Sequence, residues 1–249
     1  MMRMKWIICL FSIFALAGVE ADENFIDDIE EILVQASLLP ISSKRSANAI
    51  TIINSDQIKN RTVLSISDLL RDVPGLAVSK SGVQGSQTQI RVRGSEANHL
   101  LVLIDGIEAN NSAQSDEFGW GTLMANDIER IEIIRGPQSS MLGSDAMSGV
   151  INIITKSADA PKSMSVFSEA GSFKTQNSGV NIGLNSDNFN SRLSLSEIKT
   201  DGKNISRLGE EKDGYNNQNI SFKSGWTINE KLKSSFVARQ SDGSNDYDS

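Results

Sequence analysis

The chain has 249 residues and a formal net charge of −7, from 24 basic and 31 acidic side chains, with a single histidine and a single cysteine. No basic tract interrupts the acidic balance, which argues against a nucleic-acid partner. One imidazole and one thiol leave Ser-His-Asp catalysis, Cys-His catalysis and His-based zinc sites with almost no material. The length accommodates one or two domains.

The first residues combine a basic start (Arg3, Lys5), an apolar run from Trp6 to about Gly18, and Val19-Glu20-Ala21 at its end. This is the pattern of a secretory signal peptide, residues 1–21, too short and wrongly flanked for a membrane-spanning helix. An N-terminal anchor helix is the alternative. Cys9 interrupts the apolar run instead of ending it, which excludes a lipoprotein, and cleavage after Ala21 leaves a chain without cysteine. Such an exported chain is held by burial or by its surroundings, not by disulfides. No later stretch could cross a membrane as a helix, so any membrane role falls to β-strands.

Residues 22–49 begin acidic and contain a short extended segment, "EEILVQAS", followed by the linker "LLPISSKRSANA". From about Ile50 to Lys156 the pattern is α+β. "NSDQIKN" opens a short helix with Ser55-Asp56 as N-cap chemistry. "SISDLLRDVPG" predicts a second, with Ser65 and Asp68 at capping-box spacing and Pro74-Gly75 as its stop. "LAVS" and the alternating "QIRVRG" read as strands, and "LLVLIDG" as an apolar strand ending in an Asp-Gly turn. "RIEIIRG" and "GVINIITK" are two further strands. Between them Pro137 starts a short helix, Gly143 ends it, and Ser144, Asp145, Ser148 and Gly149 supply turn chemistry. On pattern alone this unit fits a structural hairpin of any α+β domain.

Residues 157–249 differ in kind. "SGVNIGLN" sets Val180, Ile182 and Leu184 against Asn181, Gly183 and Asn185; "NISFKSGWTI" and "KLKSSFVAR" alternate likewise. One apolar face, one polar face and unequal connections fit the meander of an outer-membrane β-barrel. A soluble β-sandwich alternates in the same way.

Four pieces, in order, resemble the TonB-dependent outer-membrane receptors, and among them the cobalamin-receptor branch. "EEILVQAS" is similar to a TonB box, with Glu31, Ile32, Leu33, Val34, Gln35 and Ala36 as its residues. "IRVRGSEANHLLVLIDGIEAN" resembles the central plug motif, and "IERIEIIRGPQSSMLGSDAMSGVINIITK" the plug's closing signature. The alternating strands follow where the family's barrel begins. The resemblance implies an α+β plug domain, a small mixed sheet with short helices at 50–156, followed by antiparallel strands of an incomplete barrel at 157–249. It implies a nutrient receptor of the outer membrane, not an enzyme. TonB of the inner-membrane energy-coupling complex, outer-membrane lipid and a small nutrient are its partners, and cobalamin or a siderophore-bound metal is its cargo.

The resemblance also implies roles for particular residues. The box can add itself as a strand to a partner's sheet edge, where backbone hydrogen bonds provide the grip. Apical plug loops would hold ligand through Ser81, Gln87, Gln89, Glu96, Gln114 and Ser115, although these side chains depart from those expected in the cobalamin branch. Arg91, Arg93, Glu132 and Arg135, together with Arg130, would face a polar barrel wall carrying their charge partners. Calcium, which orders extracellular loops in that branch, would find oxygen ligands in Glu211, Asp213, Tyr247 and Asp248. The barrels of this family need many strands and an open sheet edge cannot sit in lipid. The resemblance therefore implies an N-terminal fragment of a longer receptor. A soluble periplasmic plug-like binding module is the rival reading, and the amphipathic tail argues against it.

Overall fold

The structure, a computed structural model, describes residues 33–34, 41–42, 49–61, 63–206 and 211–246. The signal segment lies outside the described residues. The first strands are two residues each: β1 (Leu33–Val34) pairs antiparallel with β2 (Ile41–Ser42).

β3 (Ala49–Asn54) runs directly into α1 (Ser55–Arg61). The cap of α1 is one residue earlier than the sequence suggests. Asn54 Oδ1 accepts the Gln57 N–H at 2.9 Å, and Gln57 Oε1 accepts the Asn54 N–H at 3.0 Å. That reciprocal pair is a capping box in amide form. α2 (Ile66–Leu70) does have Ser65 at its N-cap, but no side-chain cap bond forms. The Ser65 hydroxyl pairs instead with Ser67 Oγ at 2.8 Å, both residues being buried. The capping box expected with Asp68 is therefore absent, because the hydroxyl has a closer partner inside the core. The chain leaves α2 through Gly75, whose φ of +85° suits glycine.

β4 (Leu76–Lys80) and β5 (Thr88–Val92) form a separate hairpin. The main plug sheet has the order β3-β8-β9-β6-β7, built from β6 (Leu100–Ile104), β7 (Ile107–Glu108), β8 (Ile128–Arg135) and β9 (Gly149–Thr155). All neighbours are antiparallel except β6 and β9. The β6–β7 turn carries Asp105 at φ +51° and Gly106 at φ +80°, the backbone of a type I′ hairpin.

β9 is buried at every position, which explains its unbroken apolar run: both faces of the sheet are covered. On one face Ile131, Ile133, Ile151 and Ile153 pack with Ile66, Leu70, Ile90 and Trp120. On the other Leu101, Leu103, Ile134, Ala146 and Val150 form a smaller cluster. Between β8 and β9, Gly136 takes φ +135° and α3 (Ser139–Leu142) ends at Gly143 with φ +96°. The Gly136 N–H donates to Ser148 O at 2.9 Å and the Ser148 N–H to His99 O at 2.9 Å. The corner is thereby stitched to the start of β6.

After β9 five long antiparallel strands follow in sequence order: β10 (Lys162–Gly171), β11 (Thr175–Ser186), β12 (Phe189–Thr200), β13 (Tyr215–Asn229) and β14 (Leu232–Asn245). Turns at 187–188 and 230–231 join one end, and the long connection 201–214 lies at the other. The polarity of this wall is inverted relative to a soluble sheet. Met164 (70% exposed), Val166 (67%), Ile220 and Phe236 point out, whereas Asn177, Asn181, Ser194, Asn217 and Asn219 on the opposite face are buried. Apolar-out and polar-in is the pattern of a lipid-facing barrel wall. It decides against the soluble sandwich, which would bury its apolar face. Among the described residues no helix is long and apolar enough to cross a membrane, and β10 and β14 each have one neighbour, so the sheet is not closed.

Ile151 is fully buried at the centre of the larger cluster. Ile151→Ala is expected to lower plug stability by about 3 kcal/mol through lost burial and a residual cavity. Urea unfolding of the full chain in detergent micelles, followed by tryptophan fluorescence, measures the change.

Candidate functional site: the plug, its wall and the loop-side cavities

The plug packs against the polar face of the wall, and two carboxylates dominate the contact. Asp105, held at left-handed φ by the β6–β7 turn, accepts the Thr155 N–H at 3.1 Å and the Thr155 hydroxyl at 2.6 Å. Its Oδ1 also meets Lys223 Nζ of β13 at 2.7 Å, with the carboxylate only 5% exposed and the ammonium 25%. Lys223 donates further to Thr155 O at 3.1 Å. Asp127, just before β8, meets Arg192 Nε of β12 at 3.0 Å and accepts the Ser221 hydroxyl at 2.7 Å. Lys156 donates from Nζ to Asn126 O at 2.8 Å. Burial pushes this ammonium below the usual lysine range; nearby Arg192 adds to the shift and Asp127 opposes it.

Toward the 201–214 end of the wall the contacts are neutral. The Tyr215 hydroxyl donates to Gly121 O at 2.6 Å, and Asn217 Nδ2 and Ser241 Oγ donate to Thr122 O at 2.8 and 3.2 Å. Met124, Ile198 and Tyr215 form a small apolar cluster there, with Leu64 packed against it. Gly121 sits where a Cβ would come within 2.7 Å of Gly85 O, so two plug loops touch at backbone distance.

Two cavities open beside these contacts. One, of about 650 Å³, lies between plug residues Ser81–Gln87 and wall residues Ile205, Asp213 and Asn245. The other, of about 500 Å³, is lined by Gln87, Gln114, Ser115, Glu117, Phe118 and Trp120, among others. Four of the six expected ligand residues therefore line cavities: Ser81 and Gln87 the first, Gln87, Gln114 and Ser115 the second. Gln89 is engaged with Glu117, donating to both carboxylate oxygens at 2.8 and 3.1 Å. Glu96 lies beyond the opposite end of β5 from the Ser81–Gln87 loop, at the start of the 97–99 turn, and is not brought to these cavities. Lys80, at the base of the loop, is pushed below its usual range by burial, with Asp68 opposing.

The charged strand faces expected at the wall make their visible contacts inside the plug. Arg91 donates to Gln89 Oε1 at 2.8 Å. Arg135 donates to Ala49 O, Pro74 O and Thr51 Oγ1. Glu132 is fully buried, with Arg130 Nε at 3.0 Å and Asn152 Nδ2 at 3.2 Å. Arg93 adopts φ +51°, its N–H donating to Gly75 O at 2.8 Å. Among the described residues, the charged plug groups whose ion pairs reach the five wall strands are Asp105 and Asp127. They were missed because one sits in a turn and the other just before a strand, while attention to alternation selects strand interiors. A signal was present: Arg192 and Lys223 fall on the polar faces of alternating strands and require acids.

Of the implied calcium ligands, Tyr247 and Asp248 lie outside the described residues. Glu211 is exposed, and Asp213 is buried with its Oδ2 accepting the Ile205 N–H at 3.0 Å. Among the described residues no group of three or more His, Cys, Asp or Glu could hold a metal ion. Of the box, Leu33 and Val34 are the strand β1; Glu31, Ile32, Gln35 and Ala36 lie outside the described residues.

Comparison with known proteins accords with this architecture. Residues 42–150 match the TonB-dependent receptor plug domain family, and with the wall that follows them the chain belongs to the TonB-dependent receptors. In sequence it is 31% identical over 207 residues to the vitamin B12 transporter BtuB of Vibrio vulnificus, covering 80% of this chain and 33% of that protein. It is also 31% identical over 232 residues to BtuB of Photobacterium profundum, covering 92% and 37%. In structure it resembles the siderophore receptor PirA of Acinetobacter baumannii, with a TM-score of 0.65, 26% identity, and coverage of 80% of this chain and 32% of that one. The ferripyoverdine receptor of Pseudomonas aeruginosa shares the fold, with a TM-score of 0.69 at 16% identity over 85% of this chain and 27% of that one. The chain spans about a third of the length of the curated relatives it matches.

Replacing Asp105 by Ala leaves Lys223 without its carboxylate and frees the Thr155 amide. A loss of about 2–3 kcal/mol is expected, below the range for a fully buried pair because Lys223 is partly exposed. Hydrogen exchange at Thr155 should accelerate roughly 30- to 100-fold, read by mass spectrometry of the peptide spanning β9.

Proposed function

We propose that this chain forms the gate and the first wall strands of an outer-membrane receptor that takes up a scarce nutrient, drawing its energy from TonB. The observation that carries this reading is the plug's seat on the polar face of a wall whose other face is apolar and exposed. A sheet of that polarity needs lipid outside and protein or water within. The plug fills the inner side, and the two loop-side cavities are where a small ligand would rest before passage.

The proposed nutrient is cobalamin, supported by the likeness to two vitamin B12 transporters. A ferric siderophore is the second reading, supported by the structural likeness to the receptor PirA. Both ligands are large and rich in polar groups, and the cavity linings of Ser81, Gln87, Gln114 and Ser115 offer hydroxyl and amide contacts. The extended segment around Leu33 is the proposed TonB contact. Its backbone would pair with a sheet edge of the partner, so that a pull from the periplasm reaches β3 and the plug sheet.

Two measurements test these assignments in cells producing the receptor that carries this chain. Leu33→Pro removes a ladder donor and distorts the strand; energy-dependent uptake should be lost while ligand still binds at the cell surface, and normal uptake would reject the box. Ser81→Ala with Gln87→Ala should weaken surface binding of radiolabelled cyanocobalamin by about 30-fold, from two lost hydrogen bonds of about 1 kcal/mol each. If that binding is unchanged and a ferric catecholate is displaced instead, the siderophore reading replaces the cobalamin one.

A further inference from the structure

Three cations crowd one area of the wall's inner face. Arg192 stands directly opposite Lys223 in the β12–β13 register. Arg239 of β14 pairs with Ser221, two residues from Lys223 on the same face. Like charges directly opposed on antiparallel strands are destabilising, and the fold nevertheless places a third beside them. The plug covers this cluster with Asp127 against Arg192 and Ser221, and with Asp105 against Lys223. Arg239 also lies within electrostatic reach of both acids, and its guanidinium reaches Asn219 Oδ1 at 3.5 Å. Two carboxylates thus sit among three cations, and the cluster keeps a positive excess.

We propose that Arg192, Lys223 and Arg239 form an anion-binding site on the inner wall, occupied by the Asp105 and Asp127 carboxylates while the plug is seated. When the plug moves, a phosphate or carboxylate group of the passing nutrient takes their place. The chemistry suits that exchange. Guanidinium forks match carboxylate and phosphate oxygens, an ammonium adds a point charge, and the Ser221 hydroxyl, which now donates to Asp127, is a further donor. Exchange of one anion for another spares the wall an interval with three uncompensated charges in a partly buried setting. The site itself follows from the wall geometry; only its place on the transport route rests on the receptor reading.

The experiment uses the full chain folded in detergent micelles, with inorganic phosphate as the probe. Asp105→Asn combined with Asp127→Asn removes both negative charges and keeps the side-chain shape. The thermal midpoint of this variant should rise by roughly 3–5 °C at phosphate about tenfold above its dissociation constant, against chloride of equal ionic strength. The unsubstituted chain should not respond, and adding Arg239→Gln should abolish the response. A folded double variant indifferent to phosphate overturns the site. Should the double variant not fold, Asp127→Asn alone undergoes the same titration, and a flat result overturns it equally. A second arm addresses transit: Arg239→Gln in the receptor should reduce uptake of cyanocobalamin, which carries a phosphodiester, severalfold while surface binding stays unchanged. Normal uptake beside an intact phosphate response keeps the site and rejects its role in passage.

Discussion

An antiparallel pair that sets Arg192 against Lys223 is unstable unless acids lie over it. The acids are not on the wall's own inner face at this level but on the plug, at the β6–β7 turn and immediately before β8. This dependence ties two differently built sheets into one object. It also fixes the plug's position relative to the strands, because Asp105 and Asp127 are spaced by the plug sheet and their partners by the wall register. Asp105 is the more constrained of the two. Its left-handed backbone and its bonds to Thr155 aim the carboxylate before Lys223 arrives, so little side-chain freedom remains to be lost when the contact forms.

The two sheets answer to different solvents. The plug sheet buries isoleucines on both faces in the ordinary way, and its helices and the β4–β5 hairpin complete that core. The wall does the opposite: its exposed face is apolar and its covered face is lined with asparagine and serine. The wall's outward residues gain from lipid what plug residues gain from one another. The plug then supplies partners for inner-face polar groups, as in the bonds of Asn217 and Ser241 to Thr122 and of Asn177 to Asn126. Plug and wall complete each other's hydrogen bonding, which is why the interface is polar although each part has an apolar region of its own.

Much of the fold was legible in the sequence because its signals are local. The unbroken run of β9, the Asp-Gly turn after β6, the glycines of the Gly136 to Gly143 corner and the alternation of the wall strands all follow from side-chain period and backbone preference. The helix caps were less legible. Asn54 and Gln57 displaced the expected Ser55-Asp56 start, and Ser65 turned to Ser67 instead of capping, since burial decides which of several nearby donors a hydroxyl meets. Alternation could not choose between a lipid-facing wall and a soluble sandwich; the burial of Asn181 beside the exposure of Ile182 does. Placement of the candidate residues was legible only where loops carry them. Ser81, Gln87, Gln114 and Ser115 line cavities, but Glu96 sits at the far end of its strand, and long-range pairs such as Asp105 with Lys223 depend on register that no local pattern encodes.

The interface is also graded along the wall, and the grading bears on how a gate of this kind could yield. At the 201–214 end the plug is held by neutral hydrogen bonds and a small apolar cluster around Met124 and Ile198. Neutral bonds contribute about 1 kcal/mol each, and water can replace them as they open. Separating Asp105 from Lys223 or Asp127 from Arg192 leaves charges stranded, at a cost of about 3 kcal/mol or more where they stay buried. The loop-side contacts beside the cavities are therefore the weaker boundary, and the charged contacts the stronger. A ligand held among Ser81, Gln87 and Gln114, as proposed, would disturb the boundary that is easiest to disturb. Release of the remainder would then call for the proposed pull on the chain or for the proposed second anion to take over the cations.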